Sequence, residues 1–174
     1  ADDFLAMGKP KYGVMISAGN LDSMVAHYTA AKKHRSEDFY SPGKAAGLRP
    51  DRATIVYANR AREAFGKDVP IIIGGLEASL RRFAHYDYWE NKVRRSILFD
   101  ASADLLVYGM GEKAIAEIAR RLKSSENVAN MTNILGTAYL TARSPTGADV
   151  RMCESYEVVS SAAHKREYAL ATRI

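Results

Sequence analysis

Three short stretches of the sequence place glycine and a polar side chain directly after an apolar run. They are Ser17-Ala18-Gly19-Asn20, Gly74-Gly75-Leu76-Glu77 and Gly109-Met110-Gly111-Glu112. Glycine tolerates positive φ and lets a ligand or a second stretch of backbone approach closely. The free N–H groups of a helix that starts after Gly111 would also attract an anion or a phosphate. The candidate ligand-binding residues are therefore Gly19, Asn20, Gly74, Gly75, Glu77, Gly109, Gly111 and Glu112.

The same glycines have a purely structural explanation, because tight turns between strands and helices commonly require glycine. The spacings GxGxxG and GxxxxGK[ST], which are typical of dinucleotide and nucleotide phosphate sites, do not occur. Glu77 and Glu112 suit either the binding of ligand hydroxyl groups or the capping of a helix. Capping is favoured for Glu112, because it falls in the first turn of a predicted helix.

No group of residues has the spacing of a catalytic or metal site. The four histidines, His27, His34, His85 and His164, are scattered along the chain and lack metal-ligand spacing. His85 lies near Asp87, but this pattern is more typical of packing than of a general base. We therefore expect neither a catalytic residue nor a metal ligand in this chain.

A basic and aromatic stretch at residues 81–96, which we call the basic segment, has three possible explanations. Aromatic rings stack on nucleic-acid bases while arginines hold phosphates. Tyrosine, tryptophan and arginine are also favoured anchors in protein interfaces. The third possibility is a surface helix whose aromatic rings reach back into the core. The residues that we single out for docking are Arg81, Arg82, His85, Tyr86, Tyr88, Trp89, Arg94 and Arg95.

The composition is that of a folded domain in a reducing compartment. The chain has 174 residues, of which 47% are hydrophobic and 26% are charged, with a net charge of +5. No apolar run reaches the ~20 residues of a membrane span, and the start lacks a signal pattern. The single cysteine, Cys153, cannot form an internal disulfide or ligate a cluster alone, so we expect a cytoplasmic protein without a membrane partner.

Alternating apolar runs and amphipathic stretches predict an α/β fold. Residues 12–17, 69–73 and 103–109 read as buried strands, since they lack polar alternation. Helices are expected after Asp22, with Val25, Tyr28, Thr29 and Lys32, and after Pro50 as far as Gly66. A third helix, residues 112–122, carries Ile115, Ile118, Ala119 and Leu122 on one stripe. The result is a three-layer, mostly parallel sheet with right-handed crossovers, whose ligands bind beyond the carboxyl ends of the strands.

The C-terminal part is predicted to be a separate small unit. Residues 136–152 suggest two short strands around the turn Ser144-Pro145-Thr146-Gly147, and residues 156–174 suggest a final helix. The polar residues 34–49 form a long loop, and long loops are usually functional or mobile. We place the α/β domain at residues 1–142 and the hairpin with its helix at residues 143–174.

Several long blocks resemble the N-terminal region of YgiQ-type (UPF0313) radical SAM proteins. They are SAGNLDSMVAHYT, RPDRATIVYANRAREAF, VPIIIGGLEASLRRFAHYDYW, KVRRSILFDASADLLVYGMGE and GTAY. In that family this region precedes a radical SAM barrel, which carries a CxxxCxxC motif for a [4Fe-4S] cluster and uses S-adenosylmethionine. IIIGG followed by ADLLVYGMGE is also similar to the cobalamin-binding, Rossmann-type domain of B12-dependent relatives, a flavodoxin-like fold.

The resemblance implies an accessory domain that positions a substrate or a corrinoid for a downstream barrel in the same polypeptide. The CxxxCxxC motif and a recognisable axial histidine motif are absent, so the chain alone would not be catalytic and cobalamin remains only a possibility. The family also carries an earlier strand–helix–strand segment, so we expect an excised, truncated sheet. The strand at residues 12–17 would then lie at a sheet edge, open to self-association. The alternative function is a nucleic-acid-binding module that uses the long loop at residues 34–49, which is rich in basic residues, and the basic segment.

Overall fold

The computed structural model of the chain describes residues 1–147 and 149–173. Its elements, in chain order, are α1 (Asp2–Ala6), β1 (Val14–Ser17), α2 (Ser23–His27), a short 3-10 turn (Pro42–Lys44), α3 (Ala53–Phe65), β2 (Ile71–Gly74), α4 (Gly75–Leu80), β3 (His85–Asp87), β4 (Lys92–Arg94), α5 (Ile97–Asp100), β5 (Leu105–Val107), α6 (Glu112–Lys123), a second 3-10 turn (Val128–Asn130), β6 (Thr137–Tyr139), α7 (Tyr156–Val159) and α8 (Lys165–Ala171). Among the described residues, no helix has both the length and the apolar character needed to cross a lipid bilayer.

A four-stranded sheet in the order β1-β2-β5-β6 forms the centre of the fold. Strands β1, β2 and β5 are parallel, and β6 runs antiparallel to β5. The three isoleucines of β2 are each at most 1% exposed, because helices cover both faces of the sheet. Ile71 and Ile73 pack with residues of α3, α4 and α5, while Ile72 packs with residues of α6. The predicted three-layer, mostly parallel α/β fold is confirmed.

The long helix α3 buries a stripe of small side chains. Its buried residues are Ala53, Thr54, Ala58 and Ala61, and it ends at Gly66, where φ is +74°. Small side chains let the helix lie close to the sheet. Helix α6 buries Ala114, Ile118 and Leu122, so the predicted stripe is correct in part.

Helix α2 is shorter than predicted. Asp22 caps it as expected, since its side chain accepts hydrogen bonds from the N–H groups of Met24 and Val25. The helix ends at His27, because Tyr28 is extended with φ −126° and ψ 151°. Tyr28, Thr29 and Lys32 therefore lie in a loop. This polar loop, residues 28–52, runs from α2 to α3 and is longer than the predicted one.

The predicted C-terminal hairpin around residues 144–147 does not form in the part of the chain that the structure describes, and Ala148 lies outside that part. Its first half becomes β6, whose backbone groups bond to β5 in the central sheet. The antiparallel hairpin of this protein is instead β3–β4, where His85 pairs with Arg94. The division at residues 142 and 143 stays a prediction.

The predicted final helix is divided into α7 and α8, and its last residue, Ile174, lies outside the described residues. The break coincides with two serines whose hydroxyl groups bond to nearby backbone. The Ser160 hydroxyl donates to the carbonyl of Glu157 (3.4 Å), and the N–H of Ala163 donates to the Ser161 hydroxyl (3.3 Å). Such bonds compete with the helical pattern.

The edge position of the first strand is confirmed. β1 has one neighbour, β2, in the described sheet. Its residue Met15 is 46% exposed, and Met15 pairs in register with the buried Ile72.

A buried carboxylate on α4 joins the N-termini of two other helices. Glu77 is 1% exposed. One of its oxygens accepts a hydrogen bond from the N–H of Ser23 at the start of α2 (2.8 Å), and the other accepts one from the N–H of Thr54 at the start of α3 (3.0 Å). The Ser23 hydroxyl adds a third bond, from the N–H of Ala53 (3.0 Å). The N–H groups of a helix start carry partial positive charge, so they stabilise the anion.

These bonds explain why α3 begins later than the predicted position after Pro50. Arg52 precedes the helix in a left-handed conformation with φ 51° and makes no side-chain cap. The caps come from Ser23 and Glu77, which are distant in the sequence. Arg52 directs its guanidinium group to Asp87 (2.8 Å) and Glu90 (2.7 Å) instead.

We expect Glu77→Gln to lower the free energy of unfolding by about 3 kcal/mol, because an amide removes the charge and turns a donor toward a helix N–H. Urea denaturation followed by circular dichroism measures the loss. Glu112→Gln is the matched control, since Glu112 is exposed, and it should change stability by no more than about 0.5 kcal/mol. Equal effects of the two substitutions would contradict the capping role.

Candidate functional site

The three glycine-containing stretches lie side by side at one edge of the sheet. Ser17 pairs with Gly74, and Ile73 pairs with Leu106, so the carboxyl ends of β1, β2 and β5 are aligned. We call this edge the rim and define it as residues 17–20, 74–77 and 108–112, together with Leu135. Leu135 joins it because the N–H of Tyr108 donates to the carbonyl of the next residue, Gly136 (2.9 Å).

Gly74 and Gly75 allow the end of β2 to pack closely against both neighbouring strands, β1 and β5. Gly75 has φ +79°, and a Cβ atom there would overlap the Ser17 hydroxyl. That hydroxyl accepts a hydrogen bond from the N–H of Gly19 (3.1 Å). A Cβ atom at Gly74 would lie 3.3 Å from the carbonyl oxygen of Val107. The close approach at these glycines is therefore between parts of the same chain.

The loop after β5 is more open. Gly109 has φ +69° and no heavy atom within 4 Å of an added Cβ. A Cβ at Gly111 would lie 2.8 Å from a methyl group of Val107. Gly111 precedes α6, whose start has no side-chain cap, and Glu112 is exposed in its first turn. Among the described residues, this part of the rim therefore leaves open space beside Gly109.

The two remaining candidates, Asn20 and Glu77, make contacts within the protein. Asn20 accepts a hydrogen bond from the Tyr40 hydroxyl, and Tyr40 belongs to the polar loop. Both carboxylate oxygens of Glu77 bond to helix N-termini. Of the two alternatives for Glu77, the geometry supports capping.

Large apolar side chains project from the rim into solvent. Leu76 is 42% exposed, Met110 is 86% exposed and Leu135 is 93% exposed. They follow the ends of β2 and β5 and precede β6, so they share one edge of the sheet. Their exposure beside tight glycine turns makes the rim a candidate contact surface.

Most arginines of the basic segment form ion pairs. Arg81 pairs with Asp22, and its side chain is 12% exposed. Arg94 pairs with Glu90 (2.6 Å) and Asp100 (2.8 Å), and Arg95 pairs with Asp100 (3.0 Å). These contacts neutralise the charge that phosphate binding would use.

Asp100 is the acceptor in two of these pairs. Its burial raises its pKa, but the hydrogen bonds from Arg94 and Arg95 outweigh burial and lower the pKa below the ordinary value. Asp100 is therefore a carboxylate at neutral pH. Carboxylates of the same chain neutralise most of the positive charge of the basic segment. A nucleic-acid interface needs that charge to bind phosphates, so the pairing weakens the case for one.

The aromatic residues of the basic segment hold the polar loop. The Tyr88 hydroxyl donates to the carbonyl of Ala30 (2.7 Å), and the Trp89 ring lies 5.1 Å from the Tyr28 ring. Lys32 donates to the backbone carbonyl of Trp89 (3.2 Å) and lies over the Tyr88 ring. The segment forms the β3–β4 hairpin and its flanks, so the third of the three possible explanations, a surface helix, is wrong.

Other parts of the basic segment remain accessible. Phe83 is 53% exposed, Tyr86 is 48% exposed and Tyr88 is 49% exposed. The Arg82 guanidinium group lies over the rings of Phe83 (5.2 Å) and Tyr108 (4.9 Å), which connects the segment to the rim. His85 bonds through Nδ1 to the carbonyl of Phe83 (3.1 Å), and burial lowers its pKa.

A polar cluster in the loop was not singled out from the sequence. His27 bonds to Asp51, and Arg49 makes two hydrogen bonds to Asp38, of 2.7 and 3.1 Å. The hydrogen bond from Arg49 is the main cause that lowers the pKa of Asp38 to about 2. In the sequence, the signal for these residues is a high density of charge around residues 35–52, which does not indicate which side chains meet.

The described residues do not fit an iron–sulfur cluster. Cys153 is exposed and is the only cysteine of the chain. In residues 1–147 and 149–173, no three histidine, cysteine, aspartate or glutamate side chains are placed to hold a metal ion. A thiolate-bound cluster needs several cysteines.

Alanine at Gly75 should destabilise the fold by about 3 kcal/mol, because it adds both the left-handed backbone strain and an overlap with Ser17. Gly109→Ala has the same kind of strain in open space and should lower stability by only about 1 kcal/mol. Chemical denaturation of both variants measures the difference. A similar loss in both would mean that the Gly75–Ser17 contact has no role.

A family model described as "Radical SAM N-terminal" matches residues 1–174. The chain is 56% identical over 173 residues to a UPF0313 protein of Clostridium botulinum (strain ATCC 19397 / Type A), covering 99% of this chain and 26% of the relative. It is 52% identical over 175 residues to a UPF0313 protein of Geobacter sulfurreducens, covering 99% of this chain and 28% of the relative. A UPF0313 protein of Pseudomonas aeruginosa is 55% identical over 146 residues, which are 84% of this chain and 19% of the relative. No solved structure gives a significant match.

The chain thus spans about a quarter of the length of the curated relatives that it matches over almost all its residues. The family model covers the α/β sheet, the rim and the basic segment together. This chain belongs to the family of radical SAM N-terminal domains.

Proposed function

We propose that this chain is the accessory N-terminal module of a radical SAM enzyme, and that its rim docks onto the catalytic domain and helps to position the substrate there. The observation that carries the proposal is the alignment of three strand ends beside exposed Leu76, Met110 and Leu135. In open α/β sheets, ligands bind beyond the carboxyl ends of the strands. A catalytic domain seated on this edge would enclose its substrate against the rim.

The catalytic chemistry would come from the rest of the polypeptide. The [4Fe-4S] cluster and S-adenosylmethionine would be held by the downstream barrel, because the described residues of this chain supply no thiolate set. The rim contains no histidine that could ligate a corrinoid cobalt. The rim would therefore act by packing and by excluding water.

The exposed face of the basic segment would extend the same interface. The Arg82 guanidinium group lies over the rings of both Phe83 and Tyr108. Tyr86 and Tyr88, which are also exposed, would extend the aromatic surface. With Arg81, Arg94 and Arg95 already paired to carboxylates, contacts made here would be mainly apolar and aromatic. Such anchors are typical of domain interfaces.

In the full-length protein, we expect slower amide hydrogen exchange at residues 108–112 and 83–96 than in the isolated chain, by at least about tenfold, because docking removes these loops from water. The double substitution Met110→Glu and Leu135→Glu should abolish the difference at the rim by placing charges in an apolar contact. Leu5→Glu is the control, since Leu5 is 52% exposed on α1, outside the rim. Identical exchange in the isolated and full-length proteins would contradict docking.

We also propose that the open edge of β1 pairs with a second copy when the chain is studied alone, because an unpaired strand edge is a template for strand addition. The isolated chain should then shift from monomer to dimer as its concentration rises in size-exclusion chromatography with light scattering. Met15→Lys should reduce the shift, since charge on an edge strand opposes pairing. A monomer at all concentrations, with or without the substitution, would contradict this pairing.

A further inference from the structure

A cavity lies between the end of α2 and the polar loop. Its volume is about 300 Å³, which is at the small end of the range for small-molecule sites. The side chains that matter for its chemistry are His27, His34, Arg35, Glu37, Asp38 and Asp51. The cavity is separate from the rim, and the proposed docking of the rim does not use it.

His27 is oriented from one side by a firmly held carboxylate. Its Nδ1 atom lies 2.9 Å from Oδ1 of Asp51, and the Tyr28 hydroxyl donates to Oδ2 of the same carboxylate (2.7 Å). Burial raises the pKa of Asp51, but the bonds from Tyr28 and His27 outweigh it, so the pKa is lowered. An ionised carboxylate only accepts hydrogen bonds, so the proton of a neutral His27 ring is on Nδ1.

The opposite ring atom has no hydrogen-bond partner within the described part of the chain. Nε2 of His27 is buried, and the side chain is only 7% exposed. The nearest carboxylate oxygen, Oδ2 of Asp38, is 3.6 Å away, which is too long for a hydrogen bond. An unpaired buried nitrogen is unfavourable unless something else binds to it.

Asp38 does not need His27 as a hydrogen-bond donor, because both of its carboxylate oxygens already accept hydrogen bonds from other groups. Oδ2 accepts hydrogen bonds from Arg49 (2.7 Å) and Ser41 (2.9 Å), and Oδ1 accepts bonds from Arg49 (3.1 Å) and from the N–H of Tyr40 (3.0 Å). Asp38 and Arg49 therefore form a satisfied pair that lines the cavity. Beside this pair, Nε2 of His27 has no hydrogen-bond partner among the described residues.

Two guanidinium groups at the cavity also bond to the protein, Arg49 through all three of its nitrogens and Arg35 through Nε. Arg49 bonds to Asp38 and to the carbonyl of Ala18 (3.1 Å), and Nε of Arg35 donates to the carbonyls of Val25 and Tyr28, both at 3.1 Å. The acids Glu37 and Asp51 are exposed toward the loop. A ligand that donates hydrogen bonds fits this lining better than an anion does.

We propose that the His27–Asp51 pair forms the floor of a binding site for a small ligand. The ligand donates a hydrogen bond to Nε2 of His27 from a hydroxyl or primary ammonium group. Asp51 fixes the tautomer, Tyr28 holds Asp51, and the Asp38–Arg49 pair forms the opposite wall. Among the described residues, no three histidine, cysteine, aspartate or glutamate side chains are placed to hold a metal ion, so the proposed ligand is an organic hydrogen-bond donor. The site recognises one donor group at a defined position, which is how small pockets obtain specificity.

The experiment is a titration of the ¹⁵N-histidine-labelled chain with three small probes. Ethanolamine carries both donor groups, ethylene glycol carries hydroxyl groups alone, and acetate carries an anionic acceptor. We expect the Nε2 resonance of His27 to shift on titration with ethanolamine or with ethylene glycol, and not with acetate. The stronger response of the two identifies whether ammonium or hydroxyl is preferred.

Two substitutions connect the response to the geometry. His27→Phe should weaken binding of the responding probe at least tenfold, and Asp51→Asn should weaken it about fivefold because the tautomer is no longer fixed. His164→Phe is the matched control, since His164 is exposed, and it should leave binding unchanged. The backbone spectrum of each variant reports whether it is folded, and Asp51→Asn provides a test in which the His27 ring is kept.

Three outcomes would overturn the proposal. The first is the absence of any shift of the Nε2 resonance with the donor probes. Nε2 would then bind a trapped water, or His27 would have only a structural role. The second is an equal response to acetate. The third is unchanged binding in folded His27→Phe or Asp51→Asn.

Discussion

One buried carboxylate organises the sites of this domain. Glu77 lies on α4, directly after β2, and its two oxygens accept hydrogen bonds from the N–H of Ser23 at the start of α2 and the N–H of Thr54 in the first turn of α3. An isolated buried charge is costly, but two helix N-termini supply both hydrogen bonds and positive partial charge. Arg81, one turn later, donates to the backbone carbonyl of Glu77 and pairs with Asp22, the cap of α2. The start of each helix is therefore fixed relative to the end of β2.

The same constraint determines the geometry on both sides of the sheet end. Toward the rim, Gly75 begins α4, so the position of Glu77 is tied to the close contact between Gly75 and Ser17. Toward the polar loop, Asp51 is two residues before the start of α3, and His27 ends α2. The distance between His27 and Asp51 depends on how the two helices are joined. A substitution of Glu77 would thus alter the geometry of both the loop cavity and the rim.

The sheet could be predicted from the sequence, whereas most polar contacts could not. Three consecutive isoleucines without alternation indicate a strand buried on both faces, and the glycines after it indicate where it ends. These signals are local. Glu77 and Ser23 are 54 residues apart, so no local pattern indicates that one caps the other. The β3–β4 hairpin was missed because its strands are only three residues long, and its mixture of arginine and aromatic residues resembles a binding surface. Charge composition does not reveal that Asp22, Glu90 and Asp100 neutralise those arginines.

This neutralisation has a consequence for how such a module would recognise its partner. Arg81, Arg94 and Arg95 are paired to carboxylates, and Arg82 lies over the rings of Phe83 and Tyr108. The surface near the rim therefore offers mainly apolar and aromatic side chains, among them Met110, Leu135 and Leu76, so contact there would depend on burial of apolar area and on shape. A surface of this kind is weakly selective between separate molecules. Within one polypeptide, the linker raises the effective concentration of the partner domain to about the millimolar range, so modest affinity is enough for docking. A domain that spans a quarter of its relatives' length can therefore keep its charges for internal structure and leave recognition to a small apolar edge.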